Sequence, residues 1–133
     1  MEGGCYCGAL RYRAEGKPVM KGQCHCRECQ YISGGGANFF MLMPLEGFSY
    51  TKGAPSQFKR SDIEGARTRD FCATCGTHIS TRLPDRPLIV IKVGTLDDPA
   101  ADYGGPRTAI FCGEKQRYHL IEDAVDQYVT RPG

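Results

Sequence analysis

The sequence lacks an excess of either charge. Its 17 basic residues stand against 15 acidic ones, a net charge of +2. No nucleic-acid partner and no anionic membrane surface is expected from that balance. Long hydrophobic runs are also missing: none approaches the roughly 20 residues of a membrane span, so no membrane partner is expected. The opening Met1-Glu2-Gly3-Gly4-Cys5 lacks the charged-then-apolar pattern of a secretory signal. A cytoplasmic protein is expected, and in that reducing setting clustered thiols are more often metal ligands than disulfides. No internal repeat and no change of composition divides the chain, so a single domain over residues 1–133 is expected. A chain of this length buries roughly two-thirds of its unfolded surface, which leaves room for a real core.

Helical periodicity is scarce. Only Arg27–Ile32 and Glu122–Val129 read as short helices. The 17 glycines and 8 prolines are spread along the chain as punctuation between short strands. Leu10–Arg13 alternates apolar and polar residues. Asn38–Met43 is an apolar run ended by Pro44. Phe48–Tyr50, Gln57–Arg60, Arg67–Phe71 and His78–Leu83 are further strand candidates. Leu88–Val93, β-branched and bounded by Pro87 and Gly94, is the strongest. The expected class is mainly β: short antiparallel strands with metal knuckles at their ends.

What the chain does have is cysteine. Seven of its 8 cysteines fall in three clusters: Cys5-x-Cys7, Cys24-His25-Cys26-x-x-Cys29 and Cys72-x-x-Cys75. A closed zinc site takes four ligands. Two pairs make one such set, and three thiols remain. Cys72-x-x-Cys75-Gly76 is the common knuckle, with Gly76 permitting its tight turn. On extended chain Cys5 and Cys7 point to one face and can reach one ion. Pairing Cys5 and Cys7 with Cys72 and Cys75 ties the start of the chain to its middle, which suits a structural zinc. Soft thiolates in a tetrahedral set favour zinc, with iron the competitor.

Cys24, Cys26 and Cys29 can wrap one side of a second zinc and leave the other open for an exogenous ligand. His78, His119 and Cys112 are the side chains that would otherwise close it. Simpler roles compete: Cys112 as a small buried apolar residue, and His78 and His119 as surface or hydrogen-bonded residues. A solvated strand face is the default for Arg67 and Arg69. His25 points away from its cysteine neighbours on extended chain and is a pocket residue and a candidate for proton transfer, together with Glu28 and His78. A disulfide framework is disfavoured because an i,i+2 bridge is strained. A thioredoxin-type redox pair is disfavoured because no βαβ pattern surrounds Cys72-x-x-Cys75.

Together the runs Gly4-Cys5-x-Cys7-Gly8-Ala9-x-Arg11-Tyr12, Cys24-His25-Cys26-x-x-Cys29-Gln30-x-x-Ser33-Gly34, Arg69-x-Phe71-Cys72-x-x-Cys75-Gly76-Thr77 and Val93-Gly94-Thr95-Leu96-Asp97-Asp98-Pro99 carry a specific resemblance. The chain resembles the glutathione-dependent formaldehyde-activating enzyme family, which includes the centromere protein V proteins. The resemblance runs from about Gly3 to Tyr128. It departs near the C-terminus, where the family usually has a Lys followed shortly by Trp. This chain has Lys115-Gln116-Arg117-Tyr118 and no tryptophan.

The resemblance implies a β-tent (Mss4-like) fold, a Cys5/Cys7/Cys72/Cys75 structural zinc and a catalytic zinc on Cys24, Cys26 and Cys29. It also implies glutathione as co-substrate and a carbon–sulfur lyase that forms or breaks S-(hydroxymethyl)glutathione. Three cysteinates leave zinc a weak Lewis acid, so its useful property would be an electron-rich substrate thiolate in the fourth position. Glutathione brings two carboxylates. Arg27 and the amides of Gly34, Gly35 and Gly36 are candidate contacts, with Lys21 and Arg69 behind them. Two other functions stay open: a glutathione or thiol carrier without real catalysis, and a purely structural zinc interaction module.

Overall fold

The computed structural model describes residues 1–132. Its strands, in chain order, are β1 (Glu2–Gly4), β2 (Arg11–Ala14), β3 (Met20–Cys24), β4 (Asn38–Pro44), β5 (Phe48–Lys52), β6 (Ser56–Phe58), β7 (Thr68–Phe71), β8 (His78–Arg82), β9 (Leu88–Lys92), β10 (Thr108–Ile110) and β11 (Asp126–Gln127). Two short helices interrupt them, α1 (Arg27–Ser33) and α2 (Pro99–Asp102). The fold is mainly β, as expected. No helix among the described residues is long and apolar enough to cross a membrane.

The strands form a three-stranded sheet, β1-β2-β5, and an eight-stranded one, β11-β10-β3-β4-β9-β8-β7-β6. Most pairings are antiparallel, but β10 runs parallel to both β3 and β11. The large sheet uses both faces, because side chains alternate along a strand. Met41 and Met43 of β4 and Ile89 and Ile91 of β9, all fully buried, point into the core between the sheets. There they meet Leu10, Tyr12, Phe48 and Ile79. Phe40 and Leu42, with Leu88 and Val90 across the ladder, occupy the opposite face. An unbroken apolar strand such as Leu88–Ile91 is what two covered faces require.

Several sequence elements act by tying the sheets together. The Tyr12 hydroxyl lies 2.8 Å from Thr95 Oγ1, and the Arg11 guanidinium forms a fork to the Asp97 carboxylate. The Thr95-Leu96-Asp97 run is therefore a clasp between β2 and the turn after β9, with Leu96 in the core. Asp70, fully buried, is a second hub. Its oxygens accept from Tyr50 Oη at 2.8 Å, Gln57 Nε2 at 2.8 Å, Ser80 Oγ at 3.3 Å and Arg82 Nε at 3.1 Å.

The expected helix over Glu122–Val129 does not form. Val125 is buried, and the chain then runs as an edge strand: the Asp126 amide donates to Arg107 O and the Tyr128 amide to Ala109 O. The four-residue spacing of Val125 and Val129 imitated a helix face, but Val129 is exposed and sheet pairing claims the backbone.

Candidate metal centres and the cavity between them and solvent

Cys5, Cys7, Cys72 and Cys75 converge with all four sulfurs within 4.8 Å of one another. Tetrahedral sulfurs about 2.3 Å from zinc stand roughly 3.8 Å apart. Cys5 and Cys7 Sγ are 3.6 Å apart, and Cys7 and Cys72 Sγ 3.8 Å, so the set fits the ion. The cysteine pairs arrive on tight turns. Gly8 and Gly76 take φ of 81° and 79°, which a side chain would oppose. The first pair therefore reaches the centre from a turn, with the Gly8 amide donating to Cys5 O, and not from the extended chain expected. Amides serve the sulfurs: Leu10 N donates to Cys5 Sγ at 3.2 Å and Cys75 N to Cys72 Sγ at 3.5 Å. Thr77 Oγ1 accepts from Tyr6 N and stands 3.1 Å from Cys75 Sγ. Its hydrogen bond and the Thr77 amide hold the Cys75 thiol down to about 5.

Cys24, Cys26 and Cys29 form the second group, again within 4.8 Å. Cys24 ends β3, and Cys26 is the N-cap of α1, where its sulfur accepts the Cys29 amide at 3.2 Å. A helix start favours an anion. Hydrogen bonds from Cys24 and Cys29 push the Cys26 thiol far down, and the bond to Cys26 pushes Cys24 up. Cys29, though a bond with Cys24 draws it down, is pushed up to about 11 by Cys26 and by burial. The sulfurs thus share charge at a site that suits a soft divalent cation.

Among the described residues no fourth histidine, cysteine or carboxylate joins these three thiols. His78 Nε2 lies 3.1 Å from Ser80 O, and Cys112 Sγ donates to Ala109 O. His119 is buried beside His25, their Nδ1 atoms 3.3 Å apart. His25 is fully buried, with Nε2 2.9 Å from Gln23 Nε2, and lies outside the cavity that the three cysteines line. Gln116 N donates to His119 Nδ1, and the buried His119 Nε2 finds no partner among the described residues.

All three cysteines face one cavity of about 420 Å³ on the outer face of the large sheet. Phe40, Leu42, Leu88, Val90, Ile110 and Phe111 form its apolar wall. Lys92 sits among the sulfurs, and burial, partly offset by Cys29, pushes its ammonium down to about 8. The cavity opens onto a second groove of about 1020 Å³, and Glu28, Arg67, Arg69, Leu83, Arg86, Arg131 and Pro132 line both. Arg67, just before β7, is exposed at that shared rim, whereas Arg69 is not on a solvated strand face: it is buried and pairs with Glu28 of α1. Among the described residues no carboxylate pairs with Arg67, Arg86 or Arg131, although Asp85 lines the outer groove beside them.

The other expected contacts are dispersed. Arg27 lines the outer groove, stacked over Tyr31 at 4.8 Å. Gly34, with φ 68°, caps α1 and spends its amide on Gln30 O and Tyr31 O, while Gly35 N donates to Ser33 Oγ. Neither glycine lines either of these two cavities, nor does Gly36, which lies against the His119 ring. Lys21 Nζ donates to Tyr103 O. Tyr118, at the family's tryptophan position, is exposed against His119 and shapes neither cavity. Lys92 was missed because Leu88–Val93 reads as a uniformly buried strand. Its parity with Leu88 and Val90, opposite Ile89 and Ile91, was the available signal.

A mainly β domain with one closed four-cysteine centre and one open three-cysteine centre is the class that this fold and site define. The chain belongs to the glutathione-dependent formaldehyde-activating enzyme family, whose model matches residues 1–114. A Halomonas elongata protein named "Putative glutathione-dependent formaldehyde-activating enzyme" is 28% identical over 95 residues, 68% of this chain and 60% of that protein's length. A crystal structure of a Rhodobacter sphaeroides protein, solved as a structural genomics target, superposes with a TM-score of 0.59 at 21% identity. It covers 73% of this chain and 88% of its own.

Proposed function

We propose that this chain is a zinc-dependent carbon–sulfur lyase that forms and breaks a glutathione–aldehyde adduct, S-(hydroxymethyl)glutathione or a related thiol adduct. The observation that carries the reading is the open centre: among the described residues Cys24, Cys26 and Cys29 converge without a fourth protein donor, and they face a cavity whose rim carries Arg67, Arg86 and Arg131, none of which pairs with a carboxylate among those residues. Cys5, Cys7, Cys72 and Cys75 hold a second zinc whose work is structural. A reducing compartment, the cytoplasm, suits a chain whose eight cysteines are all free.

Zinc held by Cys24, Cys26 and Cys29 would keep the substrate's sulfur in the thiolate form, where a free thiol near pKa 8.5 is mostly protonated. The chain's own residues do the rest. Arg67, Arg86 and Arg131 offer charge-assisted hydrogen bonds to the glutathione carboxylates. Lys92 offsets the negative charge of the sulfurs and is the cation available to the aldehyde oxygen as it gains charge. The apolar wall excludes water from the reacting carbon. In the forward direction the sulfur–carbon bond forms and the carbonyl π pair moves to oxygen, which takes up the proton the thiol released. The reverse step cleaves the same bond.

Magnetisation-transfer NMR on the glutathione–formaldehyde adduct tests the reading. Exchange should be faster with the zinc-loaded protein than in buffer, and Cys26→Ser should abolish the gain. Exchange at the buffer rate with intact protein would defeat the lyase reading in favour of a carrier.

A further inference from the structure

The cavity beside the open centre is larger than formaldehyde needs. Formaldehyde is little bigger than water, whose share of liquid volume is about 30 Å³, against about 420 Å³ here. That volume includes the arginine rim, and glutathione does not account for its apolar part. Apart from its sulfur arm the tripeptide is polar, and its amides and carboxylates would lose hydrogen bonds against Phe40, Leu42, Leu88, Val90, Ile110 and Phe111. Its charged groups fit the arginine rim that this cavity shares with the outer groove.

The apolar wall is built, not incidental. Phe40, Leu42 and Ile110 form a core cluster with Cys24, and Leu88, Val90, Phe111, Cys26 and Cys29 pack on it. Phe111 contributes from a left-handed backbone, φ 53°, the only non-glycine there among the described residues. Such strain in an aromatic residue persists only where neighbours hold it. They do: the Phe111 amide donates to Thr130 O at 2.7 Å, and Cys112 and Gly113 donate to Tyr128 and Val129. The same pairing brings Arg131 to the rim.

We propose that the adduct this chain handles carries an apolar group larger than hydroxymethyl on sulfur: the thiol adduct of an aliphatic or aromatic aldehyde, seated in this chamber with its glutathione carboxylates on the arginine rim. The proposal rests on the lyase reading for the reaction, in which the aldehyde carbon bonds to sulfur and its oxygen takes the thiol's proton. Its test does not depend on that reading. S-methyl-, S-propyl- and S-pentylglutathione are stable thioethers with no free thiol and no exchange.

Calorimetry with the zinc-loaded protein should show affinity rising along this series, by up to roughly fourfold per buried methylene, and at least tenfold overall. Val90→Phe, which narrows the chamber, should flatten the gradient. A flat or falling series, no binding by any member, or a gradient that survives in Val90→Phe would overturn the proposal. A gradient found without accelerated adduct exchange would retire the lyase reading and leave the chamber's specificity standing.

Discussion

Arg69 of β7 reaches across the mouth of the cavity to the Glu28 carboxylate on α1, between Cys26 and Cys29. Arg69's side chain is 9% exposed and Glu28's 53%. The pair fastens the helix that presents the open centre to the sheet that forms the cavity floor. It is asymmetric: removing Glu28 leaves a buried cation with no opposite charge and only the Thr81 hydroxyl, whereas removing Arg69 leaves a carboxylate that water can reach. Glu28→Gln should therefore destabilise by about 1–3 kcal/mol, more than Arg69→Met does. Urea unfolding of both variants checks the order. Equal losses would mean that the pair is screened like a surface contact.

Arg67 and Arg86 stand at the rim with no carboxylate partner among the described residues. Each charge-assisted bond to a carboxylate is worth about 1.5–3 kcal/mol. Arg67→Ala and Arg86→Ala should each weaken glutathione binding by about tenfold or more. Glutathione ethyl ester, with its glycyl carboxylate masked, should lose less in one of the two variants. Calorimetry at fixed ionic strength measures this, and unchanged affinity in both would remove the rim from the binding site.

Local spacing made the two cysteine clusters legible. Cys72-x-x-Cys75-Gly76 carries its own turn, and Cys24-x-Cys26-x-x-Cys29 closes on itself through a helix cap, so neither needs a distant partner to be read. The apolar strands β4 and β9 were legible for a similar reason. β3 was not: Met20-Lys21-Gly22-Gln23 shows no alternation, because Gly22 leaves room for the Phe40 ring, which stands 2.8 Å from where a Cβ would be. The cavity was hidden because it depends on which strands neighbour which. Arg69, Thr81, Val90, Lys92 and Phe40 come from four strands, and only sheet order places them beside one cavity. Arg27 and Gly34–Gly36 were favoured by nearness in sequence, but α1 spends the Gly34 amide on its own cap.

Burial, with the Lys92 and Arg69 charges behind it, pushes the His78 imidazole down from 6.5 to about 4. The fold holds the neutral ring. Between those two values the unfolded chain binds a proton that the folded chain does not, so stability rises with pH across the window and is fully present above it. Lowering pH from 6.5 to 4.5 should cost about 2 kcal/mol through this group. His78→Gln should remove that share of the slope. Urea unfolding at saturating zinc compares the two proteins, and parallel losses would assign the acid sensitivity elsewhere.

The central claim is that the two cysteine centres differ in kind: one closed by the chain, the other completed by the substrate's sulfur. Cadmium-113 NMR of the cadmium-substituted protein tests this most directly. Two resonances are expected. Added glutathione should move only one of them toward the all-sulfur position of the other, and Cys26→Ser should delete or displace that responsive signal. Two resonances that both ignore glutathione, with the Cys24, Cys26 and Cys29 centre already in the all-sulfur position, would contradict the account.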